Sequence, residues 1–209
     1  MQNITLISTV HKEIGNCNAD ELFKVIAEIS PEVIFLEALE STYSAHDQLL
    51  FSSFGVHSKK LEIQAIQKYY QEKSFQYVPV LDDGLSDAFD NKYNIVCDRV
   101  ELQILLDNFN SLAARDGFQF LNSVKAMDLQ EEMRSLEKGL LNDNQIQREA
   151  EDYIHGYEDS MIHNIYSYCK DNFFDTAIFM CGVAHRKSLI NKITDYNTHE
   201  GINVNWIYY

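Results

Sequence analysis

Basic residues, prolines and long apolar runs are all scarce in this sequence. Its 209 residues include 17 basic and 32 acidic ones, a formal net charge of −15, and only 2 prolines. A surface this acidic repels phosphate backbones and anionic lipids, so we expect neither nucleic acid nor a membrane surface as a partner. The longest uncharged and mostly apolar run, 177–184, is far shorter than a membrane span. Hydrophobic residues nevertheless make up 45% of the chain, which favours a well-packed core over a disordered or fibrous chain.

The cysteines and the first residues both indicate a reducing compartment. The 4 cysteines are scattered without a CxxC pair, which is typical of reduced thiols rather than of a disulfide framework or a zinc ribbon. Met1-Gln2-Asn3 has no basic region before the first apolar run, so no secretory signal is indicated. We therefore expect a cytoplasmic protein. Cys181 invites interpretation as a nucleophile with His185 as its base, but a cysteine inside an apolar strand is usually inert core.

Apolar periodicity predicts alternating strands and helices over the first eighty residues. Runs that are β-branched and apolar on both faces are typical of strands inside a parallel sheet, whereas amphipathic stretches predict helices. The strands are predicted at 4–10, 33–36 and 77–81, and the helices at about 19–29 and 58–73. This β-α-β-α-β order indicates a parallel sheet with crossover helices.

The middle of the chain, about 84–172, shows no convincing strand and is rich in Leu, Glu, Gln, Asp and Asn. The last forty residues return to the first pattern. Helices are predicted at 99–114, 118–141, 144–170 and 186–194, and strands at 176–181 and 202–209. We therefore predict one α/β domain over 1–209: a mainly parallel central sheet flanked by helices, with a helical insertion before the last two strands.

Polar residues stand where the predicted strands end. His11 follows the first strand, Glu37 ends the second, Asp82 follows the third, and His185 follows the strand that contains Cys181. Ligands of open parallel sheets bind outside the carboxyl ends of the strands. Two imidazoles and a carboxylate are a usual ligand set for a catalytic divalent metal, and a desolvated Glu37 would need a partner or a metal.

Gly182, three residues before His185, is also a candidate supporting residue. A glycine after a strand lets the backbone turn sharply or approach a ligand closely. An ordinary strand-to-helix turn, which also favours glycine, is the alternative interpretation.

Four short segments lie at these strand ends. They are Ser8-Thr9-Val10-His11, Phe35-Leu36-Glu37, Pro79-Val80-Leu81-Asp82-Asp83 and Gly182-Val183-Ala184-His185. The first corresponds to a G-T-x-H motif, the second to a strand that closes on glutamate, the third to an aspartate-containing turn, and the fourth to a G-x-x-H motif. In these motifs the sequence resembles the TraB/PrgY/GumN/Tiki family, within the superfamily that also holds erythromycin esterases and ChaN-like proteins. It departs from that family where Ser8 replaces the first glycine and where Tyr157, four residues before Met161, replaces an arginine.

The resemblance implies a metal-dependent hydrolase that acts on a peptide or another small acyl substrate. His11 and His185 would hold the metal, Glu37 would be a third ligand or the general base, and Asp82 would support the site. The metal, whether Mn, Co, Zn or Fe, stays open, because a His/carboxylate set accepts all four. The departures at Ser8 and Tyr157 keep an alternative open, in which the chain is a non-catalytic binding or regulatory module of the same fold.

A row of His and Asp residues on one predicted helix and the closing strand each allow two interpretations. His155, Asp159 and His163 recur every four residues on the third long predicted helix, where a solvated helix face is the alternative to a metal site. Asp159, or its neighbour Glu158, could instead line the main cavity, so we keep Asp159 as a supporting candidate. The closing strand, if it lies at the sheet edge, could pair with a second copy to give a homodimer.

Overall fold

Five parallel strands form one sheet at the centre of the molecule. The computed structural model describes residues 1–39, 60–84, 87–141, 143–199 and 204–209. The strands, in chain order, are β1 (Gln2–Thr9), β2 (Val33–Leu39), β3 (Gln76–Leu81), β4 (Thr176–Gly182) and β5 (Val204–Tyr208). Their order across the sheet is β3-β2-β4-β1-β5, and every pair of neighbours is parallel.

Helices flank both faces of this sheet, and four of them lie between β3 and β4. The helices are α1 (Ala19–Ile29), α2 (Leu61–Tyr70), α3 (Asp87–Val96), α4 (Val100–Leu121), α5 (Val124–Leu140), α6 (Asn144–Asp171) and α7 (Arg186–His199). The predicted α/β class, with a parallel sheet and a helical insertion before its last two strands, is confirmed.

Several predicted boundaries were wrong. The break predicted near Gly117 is confirmed, because this residue has a non-helical φ of 61° and ψ of −145° between two helical segments of α4, but the second segment ends already at Leu121. The next helix therefore begins at Val124, behind an N-cap at Ser123 that accepts a hydrogen bond from the Ala126 amide, and not at 118. Helix α3 was not predicted. Residues 58–59 and 202–203, at the start of one predicted helix and of the closing strand, lie outside the described residues.

The connections that follow the neighbouring strands β1 and β4 pass over opposite faces of the sheet. Residues of α1, α2, α4 and α5 share a core with one face of the sheet, whereas residues of α6 and α7 pack on the other face. Helix α1 follows β1 and α7 follows β4, so the connections after these neighbouring strands pass to opposite faces. Such a switch point opens a crevice at the carboxyl ends of the two strands. His11 and His185 follow these two strands.

Three further expectations from the sequence concern membrane spans, the cysteines and pairing with a second copy. None of the described helices combines the length and the apolar composition that crossing a membrane would need. All four cysteines are free thiols. Strand β5 lies at one edge of the sheet, with Ile207 and Tyr208 partly exposed, so pairing with a second copy stays a prediction.

Candidate functional site

Side chains from three neighbouring strands meet above Gly182. Gly182 ends β4 and lies beside Thr9 of β1 in the sheet, while β2, which carries Glu37, borders β4 on its other side. A Cβ atom on Gly182 would lie 3.5 Å from Glu37 Oε2, 3.7 Å from His185 Cδ2 and 3.9 Å from His11 Nε2. The absent side chain therefore leaves a space that His11, Glu37 and His185 all border. We call these three residues the strand-end cluster.

Gly182 has this role without an unusual backbone. Its φ of −57° and ψ of 137° are open to any residue, so the sharp turn considered from the sequence is not the reason for a glycine here. Close approach is the physical reason that fits, because a side chain would occupy the space between the three residues.

Glu37 is fixed where the regular pairing of β2 ends. Strand β2 continues to Leu39, so Glu37 lies inside the strand and does not end it, which corrects the sequence expectation. The register of β2 with β3 shifts between Leu36 and Leu39, an irregularity of the kind that redirects side chains. The buried carboxylate accepts hydrogen bonds from the Gly182 amide to Oε2 (2.7 Å) and from the Tyr157 hydroxyl to Oε1 (2.8 Å).

His185 is held tightly on the far side of this carboxylate. It ends the single 3₁₀ turn Val183–His185, and its side chain is only 12% exposed. Its Nδ1 lies 2.9 Å from Oε1 of the buried Glu158, whose other oxygen accepts a hydrogen bond from the Ser188 hydroxyl. The ring of Tyr157 packs against the imidazole with centroids 5.5 Å apart. The remaining nitrogen, Nε2, lies 3.6 Å from Glu37 Oε1.

His11 is held in the same manner on the open side of the cluster. Its side chain is 52% exposed, and its Nδ1 lies 3.0 Å from Oε1 of Glu62, which belongs to the first turn of α2. The same Glu62 oxygen accepts a hydrogen bond of 2.6 Å from the Thr9 hydroxyl. The His11 carbonyl also accepts a hydrogen bond from the Leu61 amide, so the residue is tied to α2 through both backbone and side chain.

Negative charge dominates the surroundings of the cluster. Three carboxylates, those of Glu37, Glu62 and Glu158, have side chains less than a tenth exposed. Among the described residues, the basic groups within 4 Å of them are the two imidazoles, which carry charge only when protonated. The hydrogen bond and charge of Glu62 raise the pKa of His11 against the effect of burial, and Glu37 adds to the rise. Burial alone would raise the pKa of Glu62, but the bonds from His11 and Thr9 outweigh it and lower that pKa.

The donor set fits a divalent metal ion in its chemistry. Two donors bonded to one ion at about 2.1 Å and at a near-tetrahedral angle lie about 3.4 Å apart. The 3.6 Å between His185 Nε2 and Glu37 Oε1 is close to that separation and too long for a hydrogen bond. The third donor, His11 Nε2, borders the same space. Among the described residues, however, no group of three His, Cys, Asp or Glu side chains is placed so that it could hold a metal ion without some movement.

Three other residues singled out from the sequence do not border the space at Gly182. Asp82 is exposed and accepts a hydrogen bond of 2.9 Å from Asn164 of α6. Asp159 pairs with Lys192 of α7 (2.6 Å) and with His155 (2.8 Å) on the outside of α6. Cys181 is fully buried in β4, where burial raises its pKa well above the ordinary value, so the thiol is unsuited to be a nucleophile.

The two departures from the family motifs occupy defined positions. Tyr157, where the family has an arginine, donates its hydroxyl hydrogen bond to Glu37 and so brings a neutral donor to that carboxylate. Ser8, where the family has a glycine, accepts a hydrogen bond of 3.2 Å from Arg186, the buried residue that follows His185.

Sequence reasoning missed Glu62 and the role of Thr9 beside it. An acidic residue in the first turn of a helix is ordinarily explained by the helix dipole, so Glu62 carried no separate signal. Its neighbours Leu61 and Ile63 are both fully buried, which shows that the helix face at this point is turned inward.

Comparison of the chain with protein-family models, with curated proteins and with solved structures finds no match. The resemblance drawn from the sequence therefore depends on its motifs alone. The residues of the cluster have to be interpreted from their geometry and chemistry.

Proposed function

We propose that this chain is a hydrolase of acyl bonds, in a peptide or an ester, that works with a divalent metal ion at the strand-end cluster. The observation that carries the proposal is the convergence of two imidazoles and a buried carboxylate on the space that Gly182 leaves open. In the part of the chain that the structure describes, the basic groups beside the three buried carboxylates are the two imidazoles, which adds support, because buried charge is costly without compensation.

The residues of the cluster suit different parts of an acyl hydrolysis. Glu37 has its orientation fixed by Gly182 and Tyr157, so its carboxylate is preorganised to accept a proton from water or to act as a metal ligand. His185 lies beside it with little exposure, which suits a metal ligand of fixed orientation. His11 is half-exposed on the open side, where a substrate could approach the space that the cluster borders.

His11, Glu37 and His185 are the residues that would hold the metal ion. A divalent ion there would polarise the acyl carbonyl and favour deprotonation of water near neutral pH. The nitrogen and oxygen donors suit Mn, Co, Zn or Fe alike. The motif resemblance to the TraB/PrgY/GumN/Tiki family supports the same class of reaction.

The test is a metal-reconstitution and substrate screen. The protein is stripped with a chelator, reloaded separately with Mn²⁺, Co²⁺, Zn²⁺ and Fe²⁺, and incubated with nitrophenyl esters and with a peptide library read by mass spectrometry. Elemental analysis measures metal per chain, and Co²⁺ absorption reports the coordination directly. We expect one metal ion per chain and turnover that depends on it.

Gly182→Ala and Gly139→Ala make a matched pair for this screen. The added methyl group on Gly182 would fill the shared space at ordinary contact distances, whereas nothing lies within 4 Å of a Cβ at Gly139. Gly182→Ala should fold normally and lose both metal and turnover, while Gly139→Ala should keep both. Turnover in Gly182→Ala equal to wild type would place the reaction elsewhere. Metal binding or ligand binding without turnover on any probe would favour the non-catalytic binding module.

A further inference from the structure

The two histidines of the cluster are held by matching arrangements from opposite faces of the sheet. In each arrangement a hydroxyl donates to a buried glutamate, and that glutamate lies within hydrogen-bond distance of the imidazole Nδ1. The two sets are Thr9, Glu62 and His11 on one side and Ser188, Glu158 and His185 on the other. Glu62 comes from α2 and Glu158 from α6, helices that pack on different faces.

We infer that Glu62 and Glu158 are positioning residues that hold both histidines in the Nδ1–H tautomer and so leave both Nε2 atoms bare. An ionised carboxylate only accepts hydrogen bonds, so a neutral imidazole must donate from the nitrogen that faces it. Both glutamates are almost fully buried, so water cannot readily replace the imidazole as donor. This is the outer-shell arrangement that orients histidines toward a metal or a proton.

The distances around Glu37 agree with this assignment. If His185 carried its proton on Nε2, that N–H would face the Glu37 carboxylate and a hydrogen bond of about 2.8 Å would be expected. The observed separation is 3.6 Å. With Nε2 bare, two lone-pair atoms face each other, and a cation or a water hydrogen is needed between them. His11 Nε2 borders the same space from the other side.

The inference rests on the proposed function only where it assigns metal binding to the bare Nε2 atoms. The tautomer itself is measured without turnover, by long-range ¹H–¹⁵N correlation on metal-free protein with ¹⁵N-labelled histidine. Because the pKa of His11 lies above its ordinary value, the pH is raised until the spectrum shows that both imidazoles are neutral. Substitution of His11 and His185 in turn assigns their signals among the seven histidines. We expect both to show a protonated Nδ1 and a pyridine-type Nε2.

Glu62→Gln and Glu158→Gln are each other's control. A glutamine amide can accept from Nδ1 or donate to it, so it no longer enforces one tautomer. Glu62→Gln should bring in the Nε2–H form at His11 alone, and Glu158→Gln should do so at His185 alone. Each should also weaken Co²⁺ binding by about 10- to 100-fold.

The wild-type spectrum is informative even if a variant does not fold. A protonated Nε2 in either histidine of the wild type, when that imidazole is neutral, would overturn the inference for that residue. So would an unchanged tautomer in the matching glutamine variant. If both tautomers are as expected and no substrate is turned over, the positioning role stands and the hydrolase proposal fails.

Discussion

Two carboxylates that are adjacent in sequence, those of Glu158 and Asp159 on α6, have very different environments. Glu158 points to the sheet and meets His185 at 2.9 Å, with almost no exposure of either side chain. Asp159 points outward and meets His155 at 2.8 Å, where the two side chains are 41% and 72% exposed. The residue types and the contact distances are nearly the same. The environment is what differs.

The difference shows why distance alone does not identify a site. On the surface, water screens the His155–Asp159 pair, and either partner can leave it at little cost. In the interior, neither Glu158 nor His185 can exchange its partner for water, so the pair fixes one orientation and one proton position. A group with a fixed orientation beside an open space is able to do chemistry. A screened pair stabilises at most the helix that carries it.

The largest contrast that we expect is in activity. His185→Ala removes the imidazole that borders Glu37 and should lower turnover on any substrate that the wild type hydrolyses by about 10²- to 10⁴-fold. His155→Ala removes an exposed histidine that, like His185, contacts a carboxylate of α6, and it should leave the rate unchanged. Initial rates at saturating metal measure both. Equal losses in the two variants would mean that the buried pair is not the functional one.

Stability should separate the same two regions less sharply. Glu158→Ala leaves His185 and Ser188 without their buried acceptor and should lower the free energy of unfolding by about 1 to 3 kcal/mol, the range for leaving a buried hydrogen-bond donor unsatisfied. His155→Ala should change it by less than about 1 kcal/mol. Urea denaturation followed by circular dichroism provides the comparison. If Glu158→Ala were as stable as His155→Ala, the buried pair would not contribute to folding.

The pair of half-exposed His11 with buried Glu62 adds a pH dependence with a defined sign. The pKa of His11 is raised above 6.5, so the pair's contribution to stability is complete below that pH and is lost as pH rises through the folded-state value. The pKa of Glu62 is lowered below 4.5, so its contribution is complete above that pH and is lost as pH falls through the folded-state value. The pair should therefore stabilise the metal-free protein most between 4.5 and 6.5.

Glu62→Gln tests this dependence. Removing the carboxylate takes away the largest influence that raises the His11 pKa and leaves burial, which lowers it. The NMR titration of His11 in the metal-free variant should shift to lower pH than in the wild type. In urea denaturation at several pH values, the stability difference between wild type and variant should be largest between pH 4.5 and 6.5. A His11 titration that moved to higher pH would contradict the pairing.

Much of this arrangement follows from the sequence, because alternation of strands and helices already specifies a parallel sheet. In such a sheet the residues that follow β1 and β4 share one edge, so His11 and His185 could be expected near each other. The bulge-like shift after Leu36 and the length of β2 could not be predicted from the sequence, since both depend on how β2 pairs with β3. That pairing is what places Glu37 inside the strand.

The choice between Glu158 and Asp159 was available in the pattern of α6. Met161, Ile162 and Ile165 are fully buried, and at 100° per residue Glu158 lies in the middle of their stripe. Asp159 lies at its border. Glu62 carried no such signal, because an acidic first turn has a sufficient local explanation and its partner His11 is far away in sequence.

The smallest effect that we expect concerns Asp159. Asp159→Asn keeps the shape of the side chain and one acceptor oxygen for Lys192, but it puts a donor amide in place of the oxygen that faces His155 and removes the charge. Because Asp159 is 41% exposed and one oxygen can still accept from Lys192, the free energy of unfolding should fall by about 1 kcal/mol or less. Turnover and Co²⁺ binding should match the wild type, since the contacts of Asp159 lead to α7 and to solvent and not to Glu37. A loss of metal or of activity in Asp159→Asn, at unchanged stability, would show that charge outside the buried cluster reaches the site, and would restore Asp159 as a supporting residue.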